Sequence, residues 1–257
     1  MWDPGQYLHY ADERARPFHE LVARIPVAAP ARVYDLGCGP GNVTAVLSDR
    51  WPDAHVTGLD NSAEMVEAAR AHERPGRLGF ALAELADWAP ADTPDVIVAN
   101  AALHWVPGHV AKLARWCDAL APGGAFAVQV PGNFAEPTHV LIGELAASAR
   151  WKDRLADVPL LRSEVTSADQ YLEALARPGF RVDAWETTYR HVLHGPDPVL
   201  EWTKGTALRP VLDALEPGEQ CEFLARYGAL LAEAYPARPY GTVLPFRRIF
   251  AVAVRDA

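Results

Sequence analysis

Three glycines alternate at positions 37, 39 and 41, directly after the stretch A-R-V-Y-D-L. That stretch is typical of a short strand, and the residues that follow, N-V-T-A-V-L-S-D-R-W, have helical spacing. A glycine-rich bend between a strand and a helix lets the backbone approach a ligand closely at the carboxyl end of a sheet. The chain is therefore predicted to have an α/β fold, with a ligand site at the carboxyl end of the strands.

Strand-like and helix-like segments continue to alternate as far as residue 131. The later strands are H-V-T-G-L-D, L-G-F-A-L, D-V-I-V-A-N and A-F-A-V-Q-V. This rhythm predicts a doubly wound parallel sheet with helices on both faces. Beyond it we expect helices over residues 136–150, 167–177, 197–214 and 217–235, and two strands, R-V-D-A-W-E-T-T-Y-R-H and F-R-R-I-F-A-V-A-V.

Composition narrows the functional classes. The 257 residues are half hydrophobic and carry a formal net charge of −9, without a long basic run. Nucleic-acid binding is therefore not expected. No apolar run is long enough to span a bilayer, and no signal peptide is evident, so we expect a cytoplasmic protein without a membrane partner. The three cysteines are far apart and suggest neither a disulfide framework nor a metal site.

The residues around the glycines discriminate between ligands. A P-loop would need a lysine that this bend lacks, and a dinucleotide site would have G-x-G-x-x-G spacing. Asp35 precedes the first glycine and would repel a pyrophosphate. It would favour a positively charged ligand such as S-adenosylmethionine, which has a sulfonium and an ammonium group and no phosphate.

Polar residues at the ends of later strands support the same ligand. Asp60 ends the second strand, 19 residues after Gly41, where a carboxylate can accept hydrogen bonds from both ribose hydroxyls. Glu84 follows the third strand and could accept from the adenine amino group. Asn100 ends the fourth strand, which lies beside the first in a doubly wound sheet.

These segments resemble the class I S-adenosylmethionine-dependent methyltransferases. D-L-G-C-G-P-G resembles the first motif of that family, L-D-N-S the second, A-E-L-A-D-W the third and P-G-G-A-F-A-V-Q-V the approach to the fifth strand. The resemblance implies a Rossmann-like, doubly wound, seven-stranded methyltransferase sheet with a helical lid inserted in the C-terminal half. The expected cofactor-binding residues are Asp35, Gly37, Cys38, Gly39, Asp60, Asn61, Glu84, Leu85 and Asn100, with Cys38 as a small filler.

Other segments narrow the resemblance to the trans-aconitate 2-methyltransferases. They include N-A-A-L-H-W-V, V-P-G-N-F-A-E-P-T-H-V-L, W-E-T-T-Y-R-H and G-T-A-L-R-P, so the resemblance covers nearly the whole chain. The chain departs from the family at three places. His104 stands where Gln is expected, and Gly132-Asn133-Phe134 replaces an Asp-Asn-Trp type sequence. The segment P-F-R-R-I-F is one residue shorter than the related L-x-F-P-R-L-F segment of the family. These departures leave the cofactor assignment intact and put the acceptor in question.

The resemblance also implies a domain organisation. We expect a single methyltransferase domain over 1–257, with an N-terminal lid helix at 1–26 and a cofactor-binding core at 31–131. Residues 132–257 would then hold the last strands and the helical insertions on the acceptor side. The sequence does not indicate an oligomeric state.

The implied reaction transfers a methyl group from S-adenosylmethionine to a small carboxylic acid. Its products are the methyl ester of the acid and S-adenosylhomocysteine. A carboxylate is ionised at neutral pH, so no general base is expected. Arginine pairs bidentately with carboxylates. The resemblance assigns this role to Arg209 and Arg248, whereas Arg247 is better read as a surface ion-pair residue.

Further acceptor-binding residues are expected on three segments. Tyr189 and His191 alternate along a predicted strand and would share one face. His104 and Trp105 follow the fourth strand. His104 is expected to form a hydrogen bond with the acceptor, and Trp105 is expected to form one wall of the acceptor site. Tyr7, Tyr10 and Arg14 share one face of a predicted helix. In one interpretation this helix covers the ligands, with Tyr10 and Arg14 facing them. In the other, the tyrosines pack on the core and Arg14 pairs with a neighbouring acid, and the sequence favours neither.

Two other functions stay open at this point. A natural-product O- or N-methyltransferase acting on a phenol or amine would need a base for a neutral hydroxyl, and His104 or His191 could serve. A non-catalytic S-adenosylmethionine-binding module would have no need of the full Asp35, Gly37, Gly39 and Asp60 set.

Overall fold

The structure is a computed structural model that describes residues 11–160 and 165–257. The expected lid residues Tyr7 and Tyr10 lie outside the described residues, as does the side chain of Arg14. Their predicted role over the ligands therefore stays a prediction.

The first half of the chain alternates strands and helices. After α1 (Ala11–Ala23) come β1 (Arg32–Leu36), α2 (Asn42–Arg50), β2 (His55–Asp60), α3 (Ala63–Ala69), β3 (Leu78–Leu82), β4 (Val96–Asn100), α4 (His109–Ala119) and β5 (Ala125–Pro131). Short 3-10 helices occupy Arg70–His72 and Leu103–Trp105. Most side chains of β4 and β5 are apolar, and both strands are buried almost throughout, as expected for central strands covered on both faces.

The second half is mainly helical. It contains α5 (Pro137–Ala146), α6 (Ala168–Leu175), β6 (Phe180–Leu193), α7 (Pro198–Lys204), α8 (Arg209–Ala214), α9 (Pro217–Ala234) and β7 (Thr242–Arg255). The helical stretch expected over 197–214 is divided into two helices, α7 and α8. Gly205 follows α7, and Pro210 lies in the first turn of α8, where it lacks the amide N–H that a continuing helix would need.

The strands of the described chain form one seven-stranded sheet in the order β3-β2-β1-β4-β5-β7-β6. The pairs β1–β2, β1–β4, β2–β3 and β4–β5 are parallel, which confirms the doubly wound, Rossmann-like sheet. The sheet is not wholly parallel, since β7 runs antiparallel to β5. Strand order reverses between β1 and β4, and ligands of such sheets bind at that switch point.

The chain divides into two compact units. The core unit comprises Ala15–Pro131, Thr166–Thr187 and Arg248–Ala257. The insertion unit comprises Thr188–Arg247, the described part of Gly132–Val165, and residues 11–14. It has its own apolar cluster, in which the Trp151 and Phe223 rings meet edge to face at 5.4 Å. No helix among the described residues is long and apolar enough to cross a membrane.

Candidate active site

The glycine bend is held tightly against the neighbouring strand. The backbone N–H groups of Gly37 and Cys38 both donate to the Leu59 carbonyl, at 2.7 and 2.9 Å. Gly37 has φ +76°, and a Cβ built on it would lie 2.2 Å from the Cβ of Ala102. Both the backbone conformation and the lack of space therefore require glycine at this position.

Gly39 has the opposite surroundings. A Cβ built on it meets no atom within 4 Å in the described structure, so the bend faces open space there. The Gly39 N–H donates to Asp60 Oδ2 at 2.9 Å, and the Ser62 N–H donates to Asp60 Oδ1 at 2.9 Å. Each carboxylate oxygen keeps a further lone pair, so Asp60 is fixed in place and can still accept from a ligand hydroxyl.

Asp35 is a buried carboxylate at the end of β1. It is 1% exposed and accepts a 2.6 Å hydrogen bond from Thr44 Oγ1. Burial raises the pKa of Asp35 to about 6, the Thr44 hydrogen bond opposes the rise, and the charge of Asp60 adds to it. A positively charged ligand nearby would stabilise the ionised carboxylate and lower its pKa again. Sequence reasoning missed Thr44, whose signal is a hydroxyl in the first turn after the glycine bend.

Glu84 lies beside the end of β3. Its carboxylate accepts from the Ala86 N–H and from Asn61 Nδ2, both at 3.2 Å, and these hydrogen bonds lower its pKa. Leu85 is buried next to it. Cys38 is also buried, and burial raises the pKa of its thiol, which is consistent with the expected role of a small filler.

The segment after β4 contains the residues predicted near the methyl acceptor. Asn100 Oδ1 is buried and makes no hydrogen bond within the described residues. Ala101 has φ +53°, a conformation rare for a residue with a side chain. Burial, with smaller effects from the charges of Arg248 and His109, lowers the pKa of His104 to about 3. His104 is therefore a neutral imidazole at pH 7.

Two expected acceptor-side residues of the core unit differ in exposure. Arg248 is only 8% exposed and lies opposite Pro131 in the β5–β7 ladder. Trp105 is 61% exposed, so in the described structure it projects largely into solvent. This exposure does not support the expected role of Trp105 as a wall of the acceptor site.

Tyr189 and His191 belong to the insertion unit. Their rings stack at 6.0 Å, so they share one face of β6, as the alternation predicts. His191 also stacks on Trp202 at 5.1 Å. Both residues are buried in an aromatic cluster, and their role in acceptor binding stays a prediction.

Two arginines of the insertion unit, Arg209 and Arg247, make local contacts. Arg209 Nε lies 3.7 Å from Asp213 Oδ2, and its side chain is 36% exposed. Arg247 Nη1 donates to the Gly132 carbonyl at 3.5 Å. The substrate role assigned to Arg209 also stays a prediction.

The predicted cofactor residues converge within the core unit. Since β1 to β4 are parallel neighbours, Asp35, Asp60, Glu84 and Asn100 all stand at one edge of the sheet. The open space at Gly39 and the unsatisfied Asn100 oxygen at this edge suit a ligand with hydroxyl and ammonium donors. Among the described residues, no group of histidine, cysteine and acidic side chains could hold a metal ion.

A sheet of this order with an acid-flanked glycine bend defines the class I methyltransferases. Residues 33–124 match the family described as "Methyltransferase domain". The plantazolicin methyltransferase BpumL, solved in complex with S-adenosylhomocysteine, has a similar fold. The TM-score is 0.54 at 13% identity, over 99% of this chain and 91% of that one.

Two bacterial proteins are much closer in sequence. The trans-aconitate 2-methyltransferase of Streptomyces avermitilis is 56% identical over 100% of this chain and 97% of that protein. The Streptomyces coelicolor protein of the same name is 53% identical over 98% of this chain and 86% of that protein. The chain belongs to the trans-aconitate 2-methyltransferase family.

Proposed function

We propose that the protein transfers a methyl group from S-adenosylmethionine to a carboxylate oxygen of trans-aconitate. The products are a monomethyl ester and S-adenosylhomocysteine. The names of the close relatives support this substrate. The structural observation that carries the proposal is the buried Arg248, a cation suited to a carboxylate, which lies in the same unit as Asp35 and Asp60.

The core unit offers a donor and acceptor set that fits the cofactor. Asp60 would accept hydrogen bonds from the ribose hydroxyls, and Glu84 from the adenine amino group. Asp35 would be stabilised in its ionised form by the positive charges of the ligand. When bound, S-adenosylmethionine supplies an electrophilic methyl group on a sulfonium.

The protein's task on the acceptor side is orientation. A carboxylate with an ordinary pKa is ionised at pH 7 and can attack without losing a proton. Arg248 would hold a carboxylate through its planar guanidinium, and neutral His104 would add a hydrogen bond without a charge. Fixing the reacting atoms in line can supply roughly 7–11 kcal/mol of the rate enhancement.

The protonation state of His104 argues against a phenol as the acceptor. A neutral hydroxyl needs a base whose pKa lies near the working pH. His104, with a pKa lowered to about 3, is a weak base. His104 is therefore a poor candidate for that base, whereas a carboxylate acceptor needs none.

Mass spectrometry of reaction products tests the proposal. The purified protein would be incubated with S-adenosylmethionine and, separately, trans-aconitate, cis-aconitate, citrate or isopropylmalate. We expect a gain of one methyl group with trans-aconitate, and none when the protein has been heat-denatured. If no acid gained a methyl group while S-adenosylhomocysteine still bound in calorimetry, the substrate would be wrong and the cofactor assignment would stand.

A further inference from the structure

Gln129 is a polar residue inside an otherwise apolar strand. Strand β5 reads A-F-A-V-Q-V-P, and all seven of its residues are buried. Gln129 is 1% exposed, and neither Nε2 nor Oε1 of its amide has a hydrogen-bond partner among the described residues. A buried amide left unsatisfied in this way costs stability, and native proteins rarely retain one without a reason.

The strand registers place Gln129 next to the proposed site. Gln129 is paired with Asn100 on β4 and with Phe250 on β7, while Arg248 is paired with Pro131. Because side chains alternate along a strand and paired residues share a face, Asn100, Gln129 and Arg248 all lie on one face of the sheet. Neighbouring strands are about 5 Å apart, so the Gln129 amide stands between the other two side chains.

The carboxyl edge of β4 and β5 therefore combines three kinds of group. Asn100 contributes an unsatisfied buried carbonyl oxygen, Gln129 a complete unsatisfied amide, and Arg248 a buried positive charge. An amide can turn either its N–H₂ or its oxygen towards a ligand. Beside a guanidinium, an N–H donor extends the hydrogen bonding offered to an anion without adding a second charge to be desolvated.

We propose that Gln129 binds the acceptor, donating a hydrogen bond from Nε2 to a carboxylate oxygen that also faces Arg248. This assignment rests on the proposed function, since it takes the acceptor to be a carboxylate. Asn100, on the other side of Gln129, belongs to the cofactor edge. Gln129 thus contacts the acceptor on the side nearest the cofactor and fixes the orientation of its carboxylate.

Replacement of the amide by an apolar chain of similar length tests the assignment. For Gln129→Met, we expect kcat/KM for trans-aconitate to fall by about 10- to 100-fold, as for loss of a hydrogen bond to a charged group. The affinity for S-adenosylhomocysteine, measured by calorimetry, should change by less than about threefold. The melting temperature should stay constant or rise, because an unsatisfied amide has been removed from the core.

Val130 supplies a matched control on the opposite face of the same strand. It is 2% exposed, and Val130→Ala should lower the melting temperature through loss of packing while leaving KM for trans-aconitate unchanged. Gln129→Leu repeats the main test with a branched apolar side chain, so that the kinetic result does not depend on the packing of one variant.

The outcomes separate the two proposals. Ester formation by the wild-type protein, with kcat and KM unchanged in both Gln129 variants, would overturn the assignment of Gln129 alone. A lowered melting temperature with unchanged KM would mean that Gln129 serves only the fold. Absence of ester from the wild-type protein with every acid would overturn the proposed substrate, and the role of Gln129 with it.

Discussion

Asp35 combines deep burial with a position at the ligand edge. Its pKa is raised from the ordinary 3.8 to about 6, so between these pH values the folded protein binds more protons than the unfolded chain. The resulting stabilisation is complete below pH 4 and is lost as the pH rises through about 6. The difference between the two pKa values corresponds to a change of about 3 kcal/mol in the free energy of unfolding.

Asp35→Asn removes this titration while keeping an oxygen that can accept from Thr44. The difference in unfolding free energy between the variant and the wild-type protein should therefore grow in the variant's favour as the pH rises from 4 to 7. Urea unfolding at several pH values measures it, and comparison of the two proteins cancels the titration of the acids that do not interact with Asp35. A difference independent of pH would show that Asp35 titrates normally.

The acids at the strand ends were predictable because each marks a strand terminus in an alternating pattern. Asp35, Asp60 and Glu84 all lie where that pattern puts them. Thr44 has only a local signal, its hydroxyl in the first turn after the glycine bend, and Gln129 has none, because the importance of both residues comes from contacts made in the fold. Thr44 matters through its hydrogen bond to Asp35, and Gln129 through the register that brings it beside Asn100.

At the scale of elements, the glycine bend offers a direct comparison of two of its residues. Gly37 and Gly39 both have positive φ, but only at Gly37 would a Cβ collide with another residue, Ala102. Gly37→Ala should therefore cost several kcal/mol of unfolding free energy, because neither strain nor overlap can be relieved locally. Gly39→Ala should cost about 1–2 kcal/mol, for the strained backbone alone.

Ligand binding by the Gly39 variant tests whether the ligand approaches the bend. Gly39→Ala should fold yet lose affinity for S-adenosylhomocysteine, since the new methyl group enters the open space in front of the bend. Chemical unfolding and calorimetry together measure both effects. Unchanged affinity in a folded Gly39→Ala protein would mean that the ligand does not approach this part of the backbone.

Element boundaries were predictable where sequence signals agree. The helix expected over 217–235 nearly coincides with α9, whose first residue is Pro217. The division between α7 and α8 was missed because the apolar pattern continues across Gly205. The antiparallel direction of β7 was also not evident, since an apolar run such as F-A-V-A-V has the same pattern in either direction.

At the scale of the whole molecule, the negative charge of the protein opposes the proposed substrate. The formal net charge is −9, and trans-aconitate carries three carboxylates. Attraction must come from the local field of buried groups such as Arg248, which solvent ions screen less than they screen charges at the surface. The Debye length falls from about 30 Å at 0.01 M salt to about 8 Å at 0.15 M, so added salt removes mainly the long-range repulsion.

We therefore expect kcat/KM for trans-aconitate to rise a few-fold between about 0.01 and 0.15 M sodium chloride. The affinity for S-adenosylhomocysteine, which carries no net charge at neutral pH, should stay nearly constant and serves as the control. Steady-state kinetics at fixed pH measures the first quantity and calorimetry the second. A fall in kcat/KM over this range would mean that exposed basic residues attract the substrate from a distance, and that the acidic surface does not govern its approach.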